Sequence, residues 1–360
     1  MKKKLNITLI FGGKSAEHEV SLRSAAAVYS NLNNKKFNIS SIFINKTGQW
    51  KNVESPLLPS NELNQGRFSS FLPWDKSAQT EKIKSDVYFP VLHGPFGEDG
   101  TIQGLFEIAD VPYVGASVLA SAVGMDKAMT KSICRAKGLP AVRYQVIMEE
   151  NWKGQKEGIL ENIKKGFQLP FYSKPANMGS SVGITKVFHS SEIESAVEKA
   201  FRHDRKILIE EGISGRELEC SVLGNEDPRA SLPGEIIPFR DYYDYKDKYI
   251  EGKTSFRIPA ELPQDIIQEI QSLSVKAFKA IDCSGMARVD FFLQEKSNKI
   301  FFNEINTIPG FTKISMYPKL WEVSGLAFPD LLEELIRLAL QKHGQRKKIF
   351  IPNKNENPGN

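Results

Sequence analysis

The sequence predicts an α/β protein of two or three domains, and three observations carry that expectation. The chain opens on a strand, a Gly-Gly turn and a helix; its middle alternates short strands with helices around a small-residue loop; and it closes on an apolar β-hairpin that carries acids. At 360 residues it is also long for a single core.

The formal net charge of +5 is modest, and much of it sits at Lys2 to Lys4 and at Arg346, Lys347, Lys348 and Lys354. Solvated termini account for such charge, whereas a nucleic-acid binder concentrates it on one face with interleaved aromatics. Cys134, Cys220 and Cys283 are odd in number, far apart and without metal-type spacing, which argues against a disulfide framework and suits a reducing cytoplasm. Leu5 to Gly13 is one strand long and is followed by charged residues rather than a cleavage site. No apolar run is long enough to span a bilayer. A cytoplasmic protein with neither membrane nor nucleic-acid partner is expected.

Asn6 to Phe11 reads as a buried strand ending in Gly12-Gly13, and Val20, Ala27, Val28 and Leu32 mark one face of the helix that follows. Phe37 to Ile44 supplies a second strand. Asn52 to Lys84, rich in Pro, Ser and Asn and weak in periodicity, reads as a long surface insertion. Asp86 to Leu92 restores a strand and leads into His93-Gly94-Pro95-Phe96-Gly97-Glu98-Asp99-Gly100. That turn precedes a helix from about Thr101 to Ala109 and aims backbone N–H groups at something anionic. Gly13-Lys14-Ser15 imitates the end of a P-loop, but the motif needs glycine where Thr8 stands, so this reading fails. His93 is either a general base or ligand, or a polar residue with a structural role.

A helix opens at Met125-Asp126-Lys127 and ends near Gly138-Leu139-Pro140. Beyond it, Tyr144 to Met148, Leu169 to Lys174, Ile184 to Phe188 and Lys206 to Glu210 read as strands, with helices over Glu157 to Lys165 and Ile193 to Phe201. Ser191 and Glu194 are the expected capping box of the second helix. The loop Ala176 to Gly183 is small enough to close over phosphates, with Lys174 supplying charge from the strand before it; a flexible hairpin tip is the alternative. Glu210 and Glu211 are acids at a strand end, either acceptors for a base or sugar or rim charges.

Glu219 to Leu223 and Glu235 to Phe239 join the final hairpin in an antiparallel sheet, with a long helix from about Gln264 to Ala280. Between them, Tyr242 to Tyr249 holds four tyrosines among alternating charges and reads as a lid. In the hairpin, Asp290 lies on one strand, and Glu304 and Asn306, two apart, share a face of the next. Three hard oxygen donors at a sheet edge suit Mg2+, which completes its octahedron with water and nucleotide phosphate, and so point to an enzyme that uses ATP. The plain alternative is a hairpin with solvated carboxylates, but burying charge among such apolar strands needs compensation, which favours the metal.

Six separated motifs occur in order: Gly12 to Ser21, His93-Gly94 with Gly97 to Gly100, Met125-Asp126-Lys127, Gly179 to Gly183, Tyr243 to Tyr249, and Asn303 to Gly310. Together they resemble the D-alanine:D-alanine ligase family of the ATP-grasp superfamily, over about residues 6 to 343. The resemblance implies an ATP-grasp architecture, with a Rossmann-like N-terminal domain (1–123) and two α+β domains (124–216 and 217–343) sandwiching ATP, followed by a disordered tail (344–360). It implies ligation of two D-alanines through a D-alanyl phosphate, for peptidoglycan precursor synthesis, by a homodimer.

The resemblance assigns Mg2+ or Mn2+, as a pair of ions, to Asp290, Glu304 and Asn306. It assigns the ATP phosphates to Lys127, Lys174 and Lys248, and adenosine to Glu210 and Glu217 with the backbone near Glu211 and Ile213. Glu17 holds the first ammonium, His93 orients that substrate, and Arg288 with the Gly310 N–H forms the oxyanion site. Ser315 and the backbone at Met316 take the second carboxylate, and Tyr249 closes the lid onto Ser180 and Glu17. Phe311 departs from the methionine common after Pro-Gly in the family, which leaves the backbone role of Gly310 intact. Rival readings are a relative using D-lactate or D-serine, an ATP-grasp enzyme activating another carboxylate, and an ATP-binding module without catalysis. Lys248-Tyr249 in the lid, Glu17, and the intact Arg288, Glu304, Asn306 and Lys174 argue against them.

Overall fold

The computed structural model describes residues 3–68, 85–237, 254–294 and 297–350. The chain begins with β1 (Leu5–Gly12), α1 (His18–Asn31), β2 (Phe37–Ile44), β3 (Trp50–Val53), a short α2 (Ser60–Leu63), β4 (Arg67–Phe68) and β5 (Val87–Val91). These strands form a sheet in the order β4-β3-β2-β1-β5, in which β2, β1 and β5 run parallel and β3 and β4 antiparallel. Ile7, Leu9, Ile10 and Phe11 of β1 are all fully buried, which explains a strand sequence without alternation: both faces are covered. Helices α3 (Thr101–Ile108), α4 (Val118–Met125) and α5 (Lys127–Ala136) follow. The Asp126 carboxylate caps α5 by accepting from the N–H groups of Ala128 and Met129, both at 3.1 Å.

The second sheet comprises β6 (Tyr144–Met148), α6 (Glu149–Gly166), β7 (Phe171–Pro175), β8 (Thr185–Val187), α7 (Ile193–Phe201) and β9 (Lys206–Glu211). Its strands are all antiparallel, in the order β6-β9-β7-β8. The third contains β10 (Arg216–Gly224), β11 (Arg229–Ala230), β12 (Gly234–Ile237), β13 (Ser255–Arg257), α8 (Gln264–Ala280), β14 (Gly285–Gln294) and β15 (Lys299–Asn306). It runs β13-β12-β10-β14-β15, with β11 beside β10. Helices α9 (Met316–Val323) and α10 (Phe328–Phe350) complete the described chain. They pack against the first sheet: Phe11, Phe43 and Phe89 share one core with Phe311, Tyr317, Trp321 and Leu331. The last segment of the chain thus closes the core of the first.

Four expectations need correction. The segment from Asn52 is not wholly a surface insertion, because β3 and β4 extend the first sheet; β3 is half-buried throughout, so it carries no alternation to read. Residues 69–84 of that segment lie outside the described chain. The helix expected over 157–165 begins at Glu149 and bends at Gln155, whose φ of −139° interrupts it next to Gly154. The cap of α7 sits two residues earlier than Ser191 and Glu194: a 3-10 turn over Ser190–Glu192 precedes the helix, and the Glu192 carboxylate accepts from the N–H groups of Phe188 (2.9 Å) and His189 (3.1 Å). The tail is not disordered from Gly344, since α10 runs through it to Phe350. His343 Nε2 lies 3.0 Å from Asp110 Oδ1, and Gln345 Nε2 donates to Glu226 at 2.9 Å. Among the described residues no helix is long and apolar enough to cross a membrane.

Candidate active site

The antiparallel register of three strands creates a row of acids. Glu219 on β10 stands opposite Asp290 on β14, and Asp290 opposite Glu304 on β15. A bulge at Asp290/Phe291 leaves Asn303 as the extra residue of β15, and its carbonyl accepts from Lys131 Nζ at 2.6 Å. Arg288 binds Asp290 through two parallel bonds, Nε to Oδ1 and Nη2 to Oδ2, both 2.7 Å. Arg288 Nε is also 3.0 Å from Glu219 Oε2, and Asn306 Nδ2 donates to Asp290 Oδ2 at 3.1 Å. Burial works against the Arg288 charge, but Asp290 and Glu219 outweigh it and raise its pKa further.

One side of this row opens into a cavity of about 340 Å3 between the second and third sheets. Lys127, Lys174, Glu210, Glu211, Ile213 and Glu217 all line it. The first lysine of α5, Lys127, donates to the Met178 carbonyl at 2.7 Å and lies 3.4 Å from Glu304 Oε2. One turn later, on the same face, Lys131 is 1 % exposed and lies 3.1 Å from Glu210 Oε2. Lys174 binds the other Glu210 oxygen. Burial raises the Glu210 carboxyl, but the two ammonium groups outweigh it and hold the pKa below its ordinary value. Glu210 is therefore a fixed anion that sets Lys174 at the cavity wall.

The other side opens into a cavity of about 770 Å3 between the first and third sheets, lined by Glu17, His93, Ser180, Arg288, Gly310, Ser315 and Met316 among others. Ser180 donates to the buried Glu17 carboxylate. Gly94 and Gly179 permit that position, since a Cβ on either would fall 2.7 or 2.8 Å from Glu17 Oε2. Ser180 and Ser181 hold φ of +49° and +59°, unusual for non-glycine residues and a sign of a constrained loop. His93 Nδ1 is 3.1 Å from the Ile308 carbonyl, which can only accept, so Nδ1 carries the proton. Its Nε2 then accepts from Ser24 Oγ at 3.1 Å, while Ser24 accepts from the Phe311 N–H at 3.2 Å. Burial lowers the His93 pKa, which favours this neutral form. Phe311 itself is fully buried and stacks on Phe328, anchoring the backbone of Gly310 in the core. Gly310 has no side chain to spare: a Cβ would meet Ser315 Oγ at 2.6 Å.

Ser180, Glu304 and Asn306 line both cavities, so the two meet at the end of β15. Asp290 lines neither and is 3 % exposed beneath Arg288. Lys248 and Tyr249 lie outside the described residues. Three charged groups at the site escaped the sequence reading. Lys131 sits four residues after Lys127, a spacing that places both on one helix face. Glu219 sits two after Glu217 on one strand face. Glu98 lies within the quoted Gly-Glu-Asp-Gly run, lines both cavities, and accepts from the Gly94 N–H at 2.7 Å. Burial, reinforced by the Glu17 charge, pushes its carboxyl up to about 8.

Comparison with known proteins fits this geometry. The profile of the D-ala D-ala ligase N-terminus matches residues 6–116, and that of the D-ala D-ala ligase C-terminus matches residues 133–337. The chain belongs to the D-alanine–D-alanine ligase family. It is an enzyme of the ligase class with the ATP-grasp α/β fold, in a family that depends on ATP. The D-alanine–D-alanine ligase of Acetivibrio thermocellus is 48 % identical, covering 97 % of this chain and all of that protein; the enzyme of Bacillus cytotoxicus is 46 % identical over 96 % and 98 %. Among solved structures, the ligase of Coxiella burnetii superposes with a TM-score of 0.87 at 39 % identity, covering 96 % of this chain and 97 % of that one. The VanG D-Ala:D-Ser ligase from Enterococcus faecalis superposes with a TM-score of 0.83 at 36 % identity, covering 94 % and 100 %.

Proposed function

We propose that the protein joins two D-alanine molecules into D-alanyl-D-alanine through a D-alanyl phosphate, with cleavage of ATP to ADP. The observation that carries this reading is the meeting, at Ser180, Glu304 and Asn306, of a cavity that holds Lys127 and Lys174 and a cavity that holds Glu17, Arg288 and Gly310. A carboxylate is a poor electrophile, so it must attack the γ-phosphorus before an amine can displace phosphate. Such a sequence needs both ligands to share one reaction point. Phosphoryl transfer needs little beyond positioning and charge compensation, which Lys127 and Lys174 would supply, with Lys248 of the lid as a third contact. Glu217 and the backbone near Glu211 and Ile213 would hold adenosine, with Glu210 securing the lysine beside it.

Glu17 would receive the ammonium of the first D-alanine, with neutral His93 orienting it through the Ile308–Phe311 segment. Arg288 and the Gly310 N–H would stabilise the oxyanion as the second amine attacks. Ser315 and the Met316 N–H, at the free N-terminal end of α9, would take the second carboxylate. Tyr249, with Ser180 and Glu17, would close the lid and exclude water from a hydrolysable acyl phosphate.

Asp290, Glu304 and Asn306 offer an all-oxygen donor set on adjoining strands, which suits Mg2+ or Mn2+. Bound there as a pair, such ions would neutralise the phosphates. In this reading residues 1–123 form the substrate domain, 124–216 the central ATP-grasp lid domain, distinct from the lid segment Tyr242 to Tyr249, and 217–343 the catalytic domain of a cytoplasmic homodimer that serves peptidoglycan synthesis.

The test is ADP release with product mass, offering D-alanine, L-alanine, D-serine and D-lactate as substrates. D-Alanyl-D-alanine formation that stops on chelation is expected. Relatives 46 % and 48 % identical over nearly the whole chain, named D-alanine–D-alanine ligase, support D-alanine as the nucleophile. A dominant D-serine or D-lactate product at neutral pH would replace that assignment.

A further inference from the structure

Asp290 cannot be approached from either cavity while Arg288 stays where it is. Both carboxylate oxygens are engaged by the guanidinium at 2.7 Å, Asn306 adds a bond at 3.1 Å, and the residue is 3 % exposed. Glu304 and Asn306, in contrast, line both cavities. A divalent cation seated on those two would meet a fixed positive charge in front of its third donor, and at such short range the repulsion is large. For Asp290 to bind a cation, the guanidinium must have somewhere else to go.

Glu219 is that place. It is buried to 3 % exposure, faces Asp290 in register across β10 and β14, and holds Oε2 3.0 Å from Arg288 Nε. It also lines the substrate-side cavity, as Arg288 does. We propose that Glu219 is a positioning residue that takes over Arg288 when a divalent cation binds, freeing Asp290 for the cation while keeping the guanidinium beside Gly310. The guanidinium then has a carboxylate partner in both arrangements, so its charge is never left buried and unpaired. This inference rests on the assignment of Asp290 as a cation donor.

The experiment is a double-mutant cycle read by Mn2+ binding to the full chain in the presence of ADP, with free Mn2+ followed by electron paramagnetic resonance and no turnover required. Glu219→Gln is expected to weaken Mn2+ binding about 10- to 100-fold, as loss of a residue behind a metal ligand does. In an Arg288→Gln background the same substitution is expected to change Mn2+ affinity by no more than about twofold, because the competitor is gone. Undiminished weakening in that background would show that Glu219 acts on the cation directly, and an unaltered single variant would show that it does not act at all. Either result overturns the proposal, as does wild-type protein that binds no Mn2+. If circular dichroism shows Glu219→Gln unfolded, Glu219→Asp keeps the charge but withdraws it from Arg288, and a smaller weakening is expected. Failure of the functional reading is separately visible, as absence of dipeptide formation by wild-type protein that still gives a coupled Mn2+ cycle.

Discussion

The cavity proposed for the nucleotide and the cavity proposed for the substrates meet at Glu304 and Asn306, yet their charged groups are arranged differently. On the side proposed for the nucleotide the described lysines are already matched, Lys127 with Glu304, and Lys131 and Lys174 with Glu210. On the substrate side two carboxyls, Glu17 and Glu98, flank Gly94, and the nearby His93 is held neutral. Glu98 is raised to about 8 by burial and by Glu17. The first cavity is rigid before its ligand arrives, because opposite charges fix one another's side chains. The second is held in electrostatic tension that an ammonium would relieve. A triphosphate, large and multiply charged, suits a ready-made frame; a small zwitterion suits a site that gains by being filled.

Of the two acids shared by both cavities, Glu304 and Glu98, removing Glu304 should have the largest effect. Glu304→Gln keeps shape but loses the charge facing Lys127 and the proposed cation. It is expected to lower kcat by at least about a hundredfold, the scale of losing a catalytic electrostatic group. Urea unfolding should show the fold intact, since Glu304 lies at the cavity wall and is partly exposed. A loss confined to the KM for D-alanine would place Glu304 with the substrate acids and break the comparison.

Glu17→Gln sharpens it from the other side. A hydrogen bond to a charged group contributes about 1.5–3 kcal/mol, so the KM of the first D-alanine should rise about 10- to 100-fold. The KM for ATP should stay within about twofold, because Glu17 lines only the substrate-side cavity. Steady-state kinetics with each substrate varied in turn decides the matter. Parallel increases in both constants would mean that the cavities do not work as separate frames.

What the sequence made legible follows the same division. The hairpin that carries Asp290, Glu304 and Asn306 is local, with a short connection and period-two spacing, so their place on neighbouring strands could be read from residues close in the chain, whereas the bulge at Asp290/Phe291 that sets the register could not. The helix that presents Lys127 announces itself through the Asp126 cap. Lys131 could not be read as buried, because a helical lysine looks solvated until its partner is known, and Glu210 lies far along the chain on β9. Glu219 was hidden for a similar reason: only the pairing of β10 with β14 brings it to Arg288. The misplaced cap of α7 has a local cause, since a 3-10 turn shifts the helix start without changing composition. The strand β3 was missed because half-burial at every position leaves no hydrophobic alternation.

The smallest effect is expected at Glu98, and it tests the tension itself. Its carboxyl rises from an ordinary 4.5 to about 8 in the folded protein, so between those values the native state keeps a proton that the unfolded chain releases. Stability from this group is therefore fully present below about pH 4.5 and is lost as pH rises through about 8. Glutamine cannot titrate, so Glu98→Gln should flatten the decline. Allowing for the half-buried position of the carboxyl, the variant should gain about 1 kcal/mol on wild type between pH 5.5 and 8. Urea unfolding at those two pH values measures it. If both proteins lose stability in parallel, the proton is held elsewhere; if the difference appears in Glu17→Gln as well, the two carboxyls act as the pair that the comparison requires.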